Sequence, residues 1–223
     1  MRLYHFINEQ HGLNDIRKRH IKIATFQELN DPFELISINF SDESIRNSFM
    51  HIKTELSKSK GILCFSRRWS NPVMWSHYAD RHKGLCLGFD VPDNTDVFRR
   101  VSYTSKRIIP EIDKLQWVAD APDSAFNYIQ QFLFTKFSHW KYEQEVRGYT
   151  ALEEQDPKSG LFFANFSDEL KLREIIVGAR SNISRETINE ALGNMTTEVR
   201  IIKACLALQT FKVVGQRNKK LWL

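Results

Sequence analysis

Apolar positions recur along this chain with two periods, and each period predicts its own kind of element. Ile45, Phe49, Ile52 and Leu56 fall on one stripe at helical spacing. Asp42 and Glu43 sit in the first turn and Gly61 is the expected stop, so a helix is predicted near 41–60. A second stripe, Phe126, Ile129, Leu133 and Phe137, follows the capping residue Asp123 and predicts a helix over 123–137. Asn71-Pro72 supplies an N-cap and a first-turn proline for a helix carrying Met74, Trp75, Tyr78 and Ala79. Shorter helices are predicted over 11–19, with Leu13 and Ile16 inward, and over 184–192.

Alternating or continuous short apolar runs predict strands at 3–7, 21–25, 61–66, 85–89, 97–103, 145–150, 161–164, 174–178, 199–202 and 208–214. Residues 105–122 read as a long surface connection. Strands outnumber helices and do not alternate with them. This predicts an α+β fold of mixed, mostly antiparallel sheets with flanking helices, not a doubly wound parallel sheet. No repeat, low-complexity stretch or linker interrupts residues 1–223, so a single domain is expected, long enough to bury a core without staples.

Composition narrows the setting. Hydrophobic residues make up 42% and charged residues 26%, as in ordinary globular proteins. The net charge is +5 without a long basic block; short groups stand at Arg17-Lys18-Arg19 and Lys219-Lys220. That excess leaves a phosphate-bearing or nucleic-acid partner open beside a plain solvated surface. Cys64, Cys86 and Cys205 are widely spaced, which predicts free thiols in a reducing compartment. The N-terminus has no long apolar stretch and no run approaches a membrane span, so a cytoplasmic protein without a membrane partner is expected.

Three polar–aromatic clusters are the candidates for chemistry. In Asn30-Asp31-Pro32-Phe33-Glu34 a turn brings two carboxylates together, to hold a metal, position a base or grip a ribose; the competing reading is an Asx or capping turn. In the second, Ser66 ends a strand, Arg67 and Arg68 follow, and the helix from Pro72 presents Trp75 and Tyr78 one turn apart. Arginines before a helix N-terminus suit a phosphate, and the aromatics suit a stacked ring; equally, the arginines are solvated and the aromatics are core. His77, Asp80 and His82 have poor spacing for a metal. In the third, Trp140 to Tyr149, a strand reading places Glu143, Glu145, Arg147 and Tyr149 on one face. There Arg147 holds one carboxylate and leaves the other to stabilise positive charge; the alternative is a solvated Glu–Arg pair. No G-x-G-x-x-G, P-loop, G-x-S-x-G or S-x-x-K is present.

Together these motifs resemble the bacterial family called domain of unknown function 2971. The matching residues are Tyr4, Asn30 to Glu34, Cys64 to Ser66, Trp75, Tyr78-Ala79, His82, Gly84 and Trp140 to Arg147, spanning about residues 3–180. A looser likeness is to ADP-ribosyltransferases, including toxin and phage-defence members. It rests on Tyr4-His5, Ser66 and Glu143-x-Glu145 occurring in that order. The likeness implies an ADP-ribosyltransferase-like fold acting on NAD as substrate, with protein, nucleic acid or water as acceptor. It implies Glu145 stabilising the ribosyl cation, Glu143 or Arg147 orienting it, and His5 and Ser66 holding ribose and nicotinamide. Trp75 or Tyr78 would stack on a ring and Arg67 or Arg68 would meet the pyrophosphate. The alternatives are a non-catalytic nucleotide-binding sensor of a defence system, or a metal-dependent nuclease using Asp31, Glu34, His77 and Asp80.

Overall fold

A computed structural model describes residues 1–34, 36–93, 97–109 and 130–222. The first half carries β1 (Arg2–Ile7), α1 (Glu9–Lys18), β2 (His20–Ile23), α2 (Glu43–Ser59), β3 (Lys60–Ser66), α3 (Pro72–Tyr78) and β4 (Leu85–Asp90). Then follow the short strands β5 (Phe98–Arg100), β6 (Ser102–Thr104) and β7 (Thr135–Phe137), a 3-10 turn at Ser138–Glu143, and β8 (Glu145–Ala151). The chain continues through β9 (Phe162–Asn165), β10 (Lys171–Val177), α4 (Arg185–Leu192), β11 (Arg200–Leu206) and β12 (Val213–Gly215). An eight-stranded sheet has the order β12-β11-β10-β4-β1-β3-β8-β5. Only β10 and β11 run parallel in it, so the sheet is mostly antiparallel, as the irregular alternation of elements predicts.

The central strand β4 shows why the sequence folds this way. Leu85, Leu87 and Phe89 point to one face and pack with Leu3 and Ile16 of α1 and Ile188 of α4. Cys86 points to the other and packs with Phe6, Trp75 and Ala79 beside α3. A strand covered on both faces reads as a continuous apolar run. The helices begin on side-chain caps: Asn8, Asp42, Asn71 and Ser184 each accept a bond from a first-turn amide. Among the described residues no helix is long and apolar enough to cross a membrane, and all three cysteines are free.

Several boundaries differ from the sequence pattern. Gly61 does not cap α2; β3 begins directly at Lys60, and Gly61 lies within the strand, where a Cβ would stand 2.4 Å from Ile23 Cγ2. The expected strand at 97–103 breaks into β5 and β6, which join different sheets. The expected helix 123–137 falls partly outside the described residues. Residues 130–133 are helical, but 135–137 form β7, pairing parallel to β6, so Phe137 belongs to a strand and is exposed. Of the expected connection 105–122, residues 110–122 lie outside the description, and Ile108 bridges to Ile38.

After α3 the backbone takes three consecutive left-handed residues, Asp80, Arg81 and His82, with φ of 43°, 53° and 71°. Such a run is sterically costly, so neighbours must hold it. Gly84 N–H donates to Ala79 O, Arg180 N–H donates to His82 O, and Gly178 N–H donates to Gly84 O. A Cβ at Gly178 would lie 2.2 Å from His82 O, so only glycine lets the two backbones meet.

Candidate functional site

The site lies where the sheet opens. β1 and β3 are in register at Tyr4 opposite Ser66, whereas β3 pairs with β8 along its length and is bridged at Ile62 by Ala24. In the wedge between β1 and β3 the His5 Nδ1–H donates to Cys64 O at 3.0 Å. Burial pushes the His5 pKa down, so the ring is neutral and Nε2 is left as an acceptor. A cavity of about 130 Å³ occupies this region. Its walls include His5, Asn30, Ser66, Tyr78, Glu143 and Glu145, and Tyr4, Glu34 and Lys136 also face it. The sequence candidates His5, Ser66 and Glu145 therefore share one cleft.

Five buried charges form the floor. Arg147, 1% exposed, donates from Nε to Glu145 Oε1 at 2.7 Å and from one terminal nitrogen to Glu145 Oε2 at 3.0 Å and Glu34 Oε2 at 2.7 Å. Its other terminal nitrogen donates to Leu133 O at 2.6 Å. Lys136 Nζ lies 2.7 Å from Glu34, 2.8 Å from Glu143 and 3.5 Å from Glu145. Its ammonium also stands 4.8 Å over the Trp140 ring. With every group ionised, three carboxylates face two cations, which leaves one negative charge in surplus.

The surplus is not shared evenly. Burial pushes the Glu145 carboxyl up, but Arg147 and Lys136 together outweigh it and hold it down at about 2. Burial also pushes Glu143 up; Lys136 pulls it back, Glu145 opposes that, and the carboxyl ends above its ordinary value. Glu143 Oε1 accepts from Tyr78 O–H at 2.5 Å, and Tyr78 in turn accepts from Asn30 Nδ2 at 3.2 Å. Burial and then Glu143 raise the Tyr78 hydroxyl, so it stays a donor. Glu143 contacts Lys136 alone of the two cations, whereas Glu34 and Glu145 each contact both, so it is the carboxylate least neutralised.

The route by which these residues meet differs from the strand reading. Glu143 ends the 3-10 turn, Gln144 takes a left-handed φ of 46°, and only Glu145 begins β8. The two carboxylates converge because that kink turns Glu143 back towards Lys136, not because they alternate on one strand face. Lys136 was not among the sequence candidates. It belongs to β7, where it and Thr135 are buried and Phe137 is exposed. Tyr103, whose oxygen accepts from Glu145 N–H at 2.9 Å, was likewise missed.

Other candidates lie elsewhere. Trp75 is wholly buried in the core against Phe6, its Nε1–H donating to Trp69 O at 2.6 Å, so it offers no face to a ring in the cavity. Arg67 and Arg68 are exposed and do not line the cavity. Their amides are used inside the protein: Arg67 N–H donates to Gln144 O and Arg68 N–H to Ser66 Oγ. Asp31 Oδ1 accepts from Phe33 N–H at 2.9 Å, the Asx turn of the plainer reading, which delivers Glu34 to the floor. His77 Nδ1 lies 3.2 Å from the Tyr142 hydroxyl, and Asp80 sits in the left-handed turn. Among the described residues no group of three or more His, Cys, Asp or Glu is placed to hold a metal ion, so the metal-nuclease set is not assembled.

The span from α3 to β8 carries Tyr78, Lys136, Glu143 and Glu145, which line the cavity, and Arg147, which bonds Glu145. Residues 74–148 match the family model for a protein of unknown function, DUF2971. The DUF2971 match agrees with the motif resemblance and covers about a third of the chain; His5, Asn30, Glu34 and Ser66 lie before it. No curated protein and no solved structure gives a match.

Proposed function

We propose that this protein breaks the bond between ribose and nicotinamide in NAD and passes ADP-ribose to an acceptor, in the manner of an ADP-ribosyltransferase. The observation that carries the reading is the enclosed floor of three carboxylates against two cations. A site with surplus negative charge in low dielectric favours a developing cation over a phosphate. When the glycosidic bond breaks, its electron pair leaves with nicotinamide, which becomes neutral, and positive charge develops on the ribose. Glu143 is the group for that charge, and it can take the proton of the attacking hydroxyl. Glu145, with both oxygens engaged by Arg147, positions the floor and does not meet the ribose directly. This moves the central role from Glu145 to Glu143. The free Nε2 of His5 accepts from a ribose hydroxyl. Ser66 holds Glu143 in place through its bond to Glu143 O at 2.6 Å. The cavity suits one ring and its sugar; the remainder of the dinucleotide lies at the mouth near Asn30. The acceptor, and a role as a toxin or phage-defence effector, rest on resemblance alone.

Glu143→Gln keeps the shape and removes the charge. Free nicotinamide released from NAD should fall about a hundredfold or more while NAD still binds, the scale of losing one preorganised electrostatic group. Turnover at the wild-type rate in that variant removes Glu143 from the chemistry. A second reading, a nucleotide-binding module without catalysis, is favoured by one observation: every charge in the floor already has an opposite partner within 3.5 Å. NAD binding by calorimetry with no nicotinamide released across protein and nucleic-acid acceptors would select it.

A further inference from the structure

A second pocket, of about 370 Å³, lies far along the sheet from the carboxylate cavity, where the C-terminal segment crosses β11. Arg185, Arg200, Lys203 and Arg217 line it, and no acidic side chain does. We propose that this basic groove binds the phosphodiester backbone of nucleic acid. Three different elements bring the charges together. Arg185 opens α4, Arg200 opens β11, and Arg217 follows β12 in the segment that Trp222 anchors through its Nε1–H bond to Ile183 O.

The details decide between a strand of phosphates and one small anion. The deepest amine, Lys203 Nζ, is spent on Gly178 O at 2.8 Å and Ser181 O at 2.6 Å, so nothing grips a lone anion from within. Arg185, Arg200 and Arg217 are exposed, the Arg200 side chain 74% accessible. Its nearest carboxylate, Glu174 at 3.7 Å, is shared with Arg2. Guanidinium forks suit successive phosphates along a backbone. Trp222 is 8% exposed and its ring lies under Arg185 at 4.7 Å, so the groove offers no stacking platform for a base. Binding is therefore indifferent to sequence.

The test is a salt titration of a fluorescent 20-base-pair duplex of scrambled sequence against the full chain. With three phosphate contacts the logarithm of affinity should fall against the logarithm of salt with a slope of about −2.7. Arg200→Ala with Arg217→Ala should flatten that slope by about 1.8 and weaken binding roughly sixtyfold at 0.1 M salt. The paired variant Arg200→Lys with Arg217→Lys should keep the slope. Both variants should melt like wild type, since neither arginine is buried. Glu143→Gln should bind the duplex normally, so this inference stands or falls apart from the NAD reading. An unchanged slope in the alanine variant overturns the proposal. Saturation by inorganic phosphate without duplex binding also overturns it and makes the groove a small-anion site.

Discussion

Replacing Arg147 with methionine tests whether the buried floor is a set of mutually dependent charges. The side chain volume is roughly kept, but the four hydrogen bonds of the guanidinium disappear. Glu145 and Glu34 then share only Lys136 as a cation, and Leu133 O loses its donor. Breaking a buried ion pair from one side costs about 3–5 kcal/mol, because the remaining charge is stranded in low dielectric. That is a large part of the 5–15 kcal/mol typical of a folded domain. For a chain of this size it corresponds to a fall in Tm of roughly 6–20 °C. Urea unfolding monitored by tryptophan fluorescence should show the midpoint falling with the slope m unchanged. Adding Glu34→Gln and Glu145→Gln to Arg147→Met should restore much of the loss, since the stranded charges are then gone. The pH arm follows from the sign of the Glu145 shift. Its folded pKa of about 2 lies below the ordinary value, so its contribution is present above about pH 4.5 and is lost as pH falls towards 2. Without Arg147 that dependence should reverse, and acid should narrow the gap between variant and wild type. A cost under about 1 kcal/mol, or no rescue by the double glutamine change, would refute the dependence of these charges on one another.

Two further outcomes come from outside the cavity. Asp15 lies on the buried face of α1, with Oδ2 unpartnered and Oδ1 3.6 Å from His20 Nε2, and burial raises its carboxyl to about 7. Its folded pKa exceeds the ordinary value, so its contribution to stability is full below about pH 4 and is lost as pH rises through about 7. Asp15→Asn should therefore gain stability relative to wild type across that window in urea melts at stepped pH, and a constant difference would disprove the shift. Gly178→Ala should destabilise by about 1–3 kcal/mol or more, because the new methyl meets His82 O and Gly84 O, both backbone atoms. An unchanged melting temperature would mean the left-handed turn at 80–82 yields freely.

Local signals in the sequence determined a good deal. The helical stripe of Ile45 and Phe49, the caps at Asn71 and Ser184, and the continuous apolar run from Leu85 to Phe89 each depend on near neighbours, and the structure has those elements. Irregular alternation of strands and helices was enough to point to a mostly antiparallel α+β sheet. The clusters around Asn30, Ser66 and Glu145 were also visible, because dense polar–aromatic runs are unusual in a core. What the sequence left open was which members face one another. Trp75 and Tyr78 share a helix, yet one fills the core and the other bonds Glu143. Lys136 carried no local signal as a site residue and became the centre of the floor once tertiary pairing with β6 made its segment a strand. The uneven neutralisation of Glu143 and Glu145 depends on a single left-handed residue at Gln144 and on cations contributed by positions 136 and 147. Burial and pairing are properties of the folded interior, where one chain segment sets the dielectric and partners of another, and no local period encodes them.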